Sequence, residues 1–211
     1  MPLSTAIAPG TVDWKNLMPK DSVVTDIVDI AVLKNTILCV NASLDETILK
    51  IVIRFTKLCL DIAVRYPGAP SAKAVVTTPT VPLARKYFDA ARRFMPTMRT
   101  RFIPPTGDVD AWTRTEWREV AEENELLIIT PCLFLDTLRA CHLSPFEFCS
   151  LVFVECKHCV GSRPHSHPFS KIPSVFSTAQ PRILGLATAQ LTPSRVTVLK
   201  NKLNARVLEI V

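Results

Sequence analysis

The sequence predicts an α/β fold built on a parallel, doubly wound sheet, and two observations carry that prediction. Short apolar runs, each long enough for one strand, alternate with longer segments in which apolar residues recur at helical spacing. This alternation is typical of parallel strands joined by crossover helices. The run from Leu151 to Val154 is unbroken, as expected for a strand buried on both faces, and it stops at Glu155. A polar group directly after such a strand lies at the sheet edge where ligands bind.

The composition allows one domain with a sizeable core, because 48% of the 211 residues are apolar. The formal net charge of +6 is compatible with a polyanionic partner, and equally with a soluble domain that happens to be basic. Seven cysteines without a signal peptide indicate reduced thiols and a cytoplasmic location. No apolar run reaches the ~18 residues of a membrane span, so no membrane partner is expected. Residues 1–18 are predicted to be a flexible leader and residues 19–211 one domain.

The first elements are two helices on either side of a strand. Helical spacing of apolar residues predicts a helix over residues 19–34, and a buried strand follows over Thr36–Val40. A turn opens a long helix over residues 46–66, which Pro67 and Gly68 end. Its polar residues form one narrow stripe, so the helix should be buried on most sides. The stripe consists of Lys50, Arg54, Lys57, Asp61 and Arg65.

The remaining chain continues the alternation. Pro104–Gly107 is predicted to be a loop, and residues 157–171 form a polar loop. The predicted strands are Ala74–Val76, Thr100–Ile103, Leu126–Ile129, Phe148–Val154 and Ile183–Leu186. The predicted helices are Val81–Phe94, Asp110–Asn124, Cys132–Cys141 and Ser194–Leu208. The first of these helices is amphipathic and basic, since it carries Arg85, Lys86, Arg92 and Arg93.

Six short segments in a fixed order carry a family resemblance. They are Asn35–Ile37 with Thr47, Thr78–Leu83, Trp112–Trp117, Ile128–Pro131 with Leu135, Leu151–Cys156, and Pro181–Leu186. The chain resembles the first RecA-like lobe of a superfamily 2 helicase, and within that group it is most similar to the duplex-RNA-sensing helicases at the N-terminus of Dicer. The resemblance extends from about residue 19 to residue 211. It implies a three-layer RecA-like lobe of the P-loop NTPase type, with a mostly parallel sheet and helices on both faces.

The phosphate loop of that family is altered here. The family reads Thr-Gly-Ser-Gly-Lys-Thr, and the corresponding residues 42–47 read Ala-Ser-Leu-Asp-Glu-Thr, so only Thr47 is kept. Without the glycines, the backbone cannot easily take the positive-φ turns that bring its N–H groups to phosphate. Glu46 stands where a lysine would contact phosphates. At ~4 Å and an effective dielectric constant near ~20, a carboxylate facing a phosphate repels it by about 4 kcal/mol.

The acidic motif of the family is altered as well. The family reads Asp-Glu-Cys-His, and this chain reads Val154-Glu155-Cys156-Lys157. The resemblance implies that Val154 replaces the aspartate that holds magnesium and that Glu155 occupies the position of the water-activating base. Thr188 lies in the altered Thr-Ala-Ser motif, and the position of the family's adenine-reading glutamine falls near Val24. ATP and Mg²⁺ are therefore not expected to bind well, no catalytic residue is predicted, and the chain is not expected to be an enzyme by itself.

The motifs on the nucleic-acid side are better kept. In relatives, the turns that correspond to Thr78–Leu83 and to Thr130 with Pro131 contact the RNA backbone through helix N-termini and hydroxyls. The resemblance thus implies RNA contacts at Thr80, Thr130 and Pro131. The basic residues of the following helix, Arg85, Lys86, Arg92 and Arg93, could add non-specific electrostatic attraction. The simpler alternative is that the threonines only cap helices and that the basic residues form a solvated helix face.

Two cysteines and two histidines suggest zinc only weakly. Cys156 and Cys159 are followed by His165 and His167, but the gap of five residues is far shorter than the ~12 of a zinc finger. Cys156 also occupies a cysteine position of the family, where a small buried side chain is expected. No metal site is predicted.

The expected function is that of a catalytically degenerate helicase lobe in a Dicer-like endoribonuclease of the ribonuclease III type. It would bind or position hairpin or double-stranded RNA without ATP, in microRNA or siRNA processing. The expected partners are that RNA, the remaining Dicer helicase segments and a double-stranded-RNA-binding cofactor protein. Two alternatives stay open: a lobe with residual ATP binding, and a protein-interaction scaffold or stand-alone inhibitor without RNA contact.

Overall fold

A computed structural model describes residues 21–40, 45–65, 72–159, 171–176, 181–188 and 191–209. The leader predicted over residues 1–18 lies outside this part of the chain. So do residues 42–44 of the phosphate-loop segment, His165, His167 and most of the polar loop predicted over 157–171.

Within the described residues, seven strands form one sheet in the order β3-β4-β2-β5-β6-β1-β7, and the six pairings between them are parallel. The strands are β1 Thr36–Cys39, β2 Ala74–Thr77, β3 Thr100–Ile103, β4 Leu126–Ile129, β5 Ser150–Val154, β6 Arg182–Ala187 and β7 Arg206–Glu209. The helices are α1 Asp21–Leu33, α2 Asp45–Arg65, α3 Val81–Phe94, α4 Gly107–Asp110, α5 Arg114–Glu123, α6 Pro131–Arg139, α7 Ile172–Val175 and α8 Pro193–Leu203. This is the predicted three-layer, RecA-like α/β fold.

Two apolar cores lie on the two faces of the sheet. Successive side chains of a strand point to opposite faces, so Val152 and Val154 of β5 join the core under α1, α2 and α3. Leu151 and Phe153 join the core under α5, α6 and α8. All five residues of β5 are buried, which explains the unbroken apolar run that marks it in the sequence.

The carboxyl ends of the inner strands meet at one edge. Val154 pairs with Leu186, and Thr77 pairs with both Phe153 and Ile129. The residues that follow β2, β4, β5 and β6 are therefore neighbours along this edge, although they are far apart in the sequence. This arrangement positions the candidate site.

The helix predicted over Asp110–Asn124 is wrong as a single element. It divides into α4, which begins at Gly107 inside the predicted loop, and α5. The break has a local cause, because Thr113 forms a capping box with Glu116 and starts a new helix. Trp112 supports the break by packing edge-on against Trp117, with ring centroids 5.1 Å apart.

The helix predicted over Ser194–Leu208 is wrong in its last third. It ends at Leu203, and Asn204 adopts a left-handed conformation with φ 45° that terminates it. Asn35 holds the chain beside the sheet after this turn. Its side-chain amide donates to the Leu203 carbonyl, and its backbone carbonyl accepts from the Arg206 N–H. Arg206–Glu209 becomes β7 beside β1.

The other predicted helices and strands are confirmed, with bounds that differ from the prediction by at most two residues. Within the described residues, no helix combines the length and the apolar character that crossing a bilayer requires.

Candidate functional site

A cleft of about 160 Å³ opens at the carboxyl edge of the sheet, between the starts of α2 and α3 and the ends of β5 and β6. It is smaller than the ~300–1,000 Å³ of typical ligand pockets. Its lining residues are Ile48, Leu49, Leu83, Lys86, Tyr87, Val154, Glu155 and Thr188. The cleft therefore lies where the altered nucleotide motifs were predicted to meet, and half of its lining is aliphatic.

Glu46 lies in the first turn of α2 with its carboxylate matched by two cations. Its Oε1 is 3.7 Å from Lys50 Nζ and 3.6 Å from an Arg93 guanidinium nitrogen. The side chain is 58% exposed, so each pair is weak. A carboxylate in the first turn also complements the positive end of the helix dipole. Thr47 beside it is buried, at 7% exposure.

Val154 and Glu155 end the central strand in contrasting ways. Val154 is 2% exposed and belongs to the core under α2. Glu155 leaves the strand with φ 59°, in the left-handed region, which costs a residue other than glycine roughly 1–2 kcal/mol. One hydrocarbon side chain and one carboxylate therefore occupy the positions at which the family resemblance implies two carboxylates.

The Glu155 carboxylate is held by its neighbours. Thr188 Oγ1, just beyond β6, donates a hydrogen bond to Oε1. Lys157 Nζ lies 2.9 Å from Oε2, within ion-pair distance, although Oε2 accepts no hydrogen bond with good geometry from the described residues. Both side chains are largely covered, Glu155 being 14% exposed and Lys157 31%. These contacts connect the ends of β5 and β6.

The short 3-10 turn Cys156–Cys159 packs its thiols inward. Cys156 and Cys159 are both fully buried, which confirms the small buried side chain expected at Cys156. Burial raises the pKa of the Cys159 thiol to about 12 and that of Cys156 well above its usual value. Gly185 makes room for this turn, because a Cβ there would lie 3.2 Å from Cys156 Sγ.

Thr80 caps α3 at the turn after β2. The Leu83 N–H donates to its Oγ1 over 3.4 Å, and the residue is otherwise exposed. The Thr78 hydroxyl donates to the Thr80 carbonyl over 3.1 Å and fixes the turn. The capping alternative therefore holds at Thr80, whose hydroxyl remains at the surface.

Thr130 begins α6 differently. It occupies the N-cap position with extended backbone, but its side chain makes no capping hydrogen bond. It is 7% exposed, and its Oγ1 has no hydrogen-bond partner among the described residues. Pro131 at the first helical position is also buried. The capping alternative thus fails for the Thr130 hydroxyl, and a buried hydroxyl without a partner costs about 1–3 kcal/mol.

Arg85 lies on the exposed face of α3 against two phenyl rings. Its guanidinium carbon is 5.0 Å from the Phe102 ring centroid and 6.0 Å from that of Phe88. The guanidinium carbon of Arg92 lies 5.7 Å from the Phe88 ring centroid. Sequence reasoning found the arginines and missed the rings. The spacing of Arg85, Phe88 and Arg92 along one helix face was the available signal, but Phe102 comes from another element.

The structure therefore groups the predicted residues into two regions. Val154 and Glu155 line the cleft and Glu46 lies in the first turn of α2, while Thr80, Arg85, Thr130 and Pro131 lie along the turns and the helix on the β2 and β4 side. The contacts of Lys157 and Thr188 with Glu155 were also missed, because they depend on side-chain geometry.

No family model matches the chain. In sequence it is similar to the Endoribonuclease Dicer homolog 3 of Arabidopsis thaliana, with 28% identity over 139 residues, 64% of this chain and 8% of that protein. It is 26% identical over 188 residues to the Endoribonuclease Dicer homolog 3b of Oryza sativa, covering 87% of this chain and 11% of that protein. Over 121 residues it is 31% identical to the Endoribonuclease Dicer homolog 2b of the same species, covering 55% of this chain and 9% of that protein.

Among solved structures, the helicase domain of Pyrococcus furiosus Hef has the same fold. The TM-score is 0.69 at 17% sequence identity, and the match covers 95% of this chain and 40% of that one. The chain spans about a tenth of the length of the curated relatives, since it covers 8% and 11% of the first two.

Proposed function

We propose that this chain is a helicase-type lobe like those at the N-terminus of Dicer proteins, and that it serves Dicer-type RNA processing by positioning RNA without ATP. The observation that carries the proposal is the internal pairing of the carboxylates at the two altered motifs. The Glu46 carboxylate is matched by Lys50 and Arg93, and the Glu155 carboxylate by Thr188 and Lys157.

Because of those pairings, few groups remain that could bind magnesium or the phosphates of a nucleotide. Magnesium requires oxygen ligands in near-octahedral geometry, and Val154 offers only methyl groups. A phosphate at the start of α2 would meet the Glu46 carboxylate instead of a lysine. The residues present do not fit a magnesium nucleotide, which supports a lobe that neither binds ATP well nor hydrolyses it.

The RNA side rests on two threonine hydroxyls at helix N-termini. The Thr130 hydroxyl is buried and unpaired beside the N-terminus of α6, and the Thr80 hydroxyl is exposed at the N-terminus of α3. Helix N-termini and hydroxyls are suited to phosphate oxygens. We assign the RNA-contacting role to Thr80, Thr130 and Pro131, with Arg85 adding charge.

Cleavage belongs to other parts of the protein in this proposal. The relatives are named endoribonucleases, and this chain corresponds to about a tenth of each. A ribonuclease III-type activity would be supplied beyond the helicase-type lobe, on hairpin or double-stranded RNA, in the cytoplasm. The other helicase segments and a double-stranded-RNA-binding cofactor protein are the partners that follow from this role.

Two titrations of the purified chain test the proposal. Isothermal titration with ATP is expected to show no magnesium-dependent binding. Fluorescence anisotropy with an RNA hairpin and an RNA duplex is expected to show binding that ATP and Mg²⁺ leave unchanged. Thr130→Val is expected to weaken RNA binding, and Thr137→Val serves as a matched change, because that buried hydroxyl donates to the Leu133 carbonyl within α6.

Micromolar magnesium-dependent ATP binding would favour the alternative of a residually ATP-binding lobe. Binding of a double-stranded-RNA-binding protein in the absence of any RNA binding would favour the scaffold alternative. Equal RNA affinities for wild type, Thr130→Val and Thr137→Val would remove the turn after β4 from the RNA site.

A further inference from the structure

The exposed face of α3 carries a continuous row of arginines and phenyl rings. Arg85, Phe88 and Arg92 follow one another at helical spacing, and Phe102 of β3 lies beside them. The Phe88 and Phe102 ring centroids are 6.3 Å apart. Both guanidiniums lie within 6.0 Å of a ring, which is the range of cation–π attraction. We call these four residues the α3 ladder.

The charges of the ladder are available to a ligand. Neither Arg85 nor Arg92 has a carboxylate within ion-pair distance among the described residues. Arg93, on the neighbouring row of the same helix, does pair with Glu46. The rings restrict the two guanidiniums without neutralising them, so their N–H groups remain free and less side-chain entropy is lost on binding.

The ladder leads away from the sheet edge. The 14 residues of α3 span roughly 21 Å at 1.5 Å per residue. Arg85 lies roughly 7 Å and Arg92 roughly 18 Å along the axis from the Thr80 cap. A chain of phosphates that touches the α3 N-terminus would meet the two guanidiniums in succession.

We propose that the α3 ladder is a phosphate-binding track that carries the RNA backbone from the Thr80 turn down the outer face of α3. The inference rests on the proposed function and deepens it, because it adds the two rings and states the path that the RNA backbone follows. A guanidinium presents a planar fork of donors that matches phosphate oxygens bidentately. Continuity with a helix N-terminus favours a phosphate backbone over an acidic protein segment.

Salt dependence of RNA binding is the measurement that tests the track. Each phosphate contact that a cation makes contributes about 0.9 to the slope of log affinity against log salt on a B-form duplex. Arg85→Ala/Arg92→Ala is expected to lower that slope by roughly two and to weaken duplex binding by about tenfold or more at moderate salt. Arg85→Lys/Arg92→Lys is expected to keep most of the slope and lose part of the affinity, because the charge stays and the fork is lost.

The matched control is Arg114→Ala/Arg118→Ala. Both arginines are exposed on α5, which packs on the opposite face of the sheet through Trp117 and Ala121. Because each double variant removes two arginines, both lower the net charge of the protein by the same amount. We expect this control to change the slope by much less than the ladder variant. Thermal unfolding of every variant by circular dichroism establishes that each is folded.

The outcomes separate the track from the proposed function. If both double-alanine variants lose the same slope, the attraction is diffuse and the track is wrong, although RNA binding stands. If Thr130→Val weakens RNA binding and the ladder variant does not, the turns bind RNA and the track is again wrong. If wild type binds polyglutamate but no RNA, and the ladder variant loses that binding, the ladder serves an acidic protein partner and both proposals fail.

Discussion

The two halves of the carboxyl edge of the sheet differ in how they treat their polar groups. On the cleft side, the carboxylates of Glu46 and Glu155 have cationic or hydroxyl partners from the chain itself. On the side of β2 and β4, the Thr130 hydroxyl has none, and the two arginines of the α3 ladder face rings instead of carboxylates.

This difference bears on function, because an unpaired polar group costs stability in the free protein. Buried polar groups are nearly always hydrogen-bonded, so an exception calls for an explanation such as a ligand. In the proposed function, the internal pairing on the cleft side accompanies a loss of nucleotide binding. In the proposed function, the Thr130 hydroxyl and the two arginines are the groups on the other side that contact RNA phosphates.

The largest effect is expected from a substitution that restores a carboxylate to the cleft. Val154→Asp places a charge at a position that is 2% exposed and directly precedes Glu155, so we expect a loss of about 3 kcal/mol in unfolding free energy. Val154→Ala is the control, with a loss of about 1–2 kcal/mol from the missing methyl groups. Urea denaturation at neutral pH measures both.

Magnesium decides the interpretation of that variant. We expect the Val154→Asp protein to gain no stability from Mg²⁺, because neighbouring groups already hold the Glu155 carboxylate. Recovery of stability with rising Mg²⁺ would mean that one substitution suffices to rebuild a metal site. The internal pairing of the Glu155 carboxylate would then not prevent ligand binding at the cleft.

Two substitutions that remove a hydroxyl test the side of β2 and β4. Thr130→Val removes an unpaired buried hydroxyl, so we expect a gain of about 1 kcal/mol in unfolding free energy together with weaker RNA binding. Thr80→Val removes a functioning cap, so we expect a loss of about 1 kcal/mol. Opposite signs in denaturant unfolding would support the assignment, whereas a loss of stability at Thr130 would show that its hydroxyl is satisfied in solution.

The sequence was sufficient for most of the fold because periodicity and capping are local. Val81–Phe94 and Leu126–Ile129 have the predicted bounds, since an amphipathic helix and a fully buried strand each have a distinct apolar pattern. The failures came where a tertiary contact decided. Residues 206–209 read as a helix continuation, but they pair with β1 because Asn35 connects the end of α8 to the sheet.

The site could be placed from the sequence, but its pairing could not. The order of motifs was enough to place Glu46 and Glu155 near one edge, because carboxyl ends of parallel strands converge. That Arg93 reaches Glu46, or that Phe102 lies under Arg85, depends on rotamers of residues 47 and 17 positions apart. The unpaired state of Thr130 is likewise invisible in a sequence, where every threonine before a helix looks like a cap.

A smaller effect tests whether the Glu46 pairing is merely electrostatic. Glu46→Gln removes a mostly exposed charge that faces two cations and the positive end of α2, so we expect a loss of about 0.5–1 kcal/mol at low salt. The loss should shrink at high salt, because exposed charges are screened. Glu122→Gln in the last turn of α5 is the control, and it should cost nothing because an acid there opposes the helix dipole. A loss at Glu46 that salt leaves unchanged would point to a packing role instead.

The smallest effect concerns Glu116, whose helix start is the fully paired counterpart of Thr130. The Thr113 backbone N–H and hydroxyl donate to the Glu116 carboxylate over 2.6 and 2.8 Å, and these bonds lower the pKa of that carboxyl below its usual value. A lowered folded-state pKa gives a stabilisation that is present above the unfolded-state pKa of about 4.3 and is lost as the pH falls through the folded-state pKa. Unfolding free energies of wild type and Glu116→Gln should therefore differ at neutral pH and converge in acid. A difference in unfolding free energy that persists in acid would mean that geometry rather than charge holds the capping box. The Glu116 carboxylate would then no longer serve as the charge-paired helix start against which the unpaired Thr130 is compared.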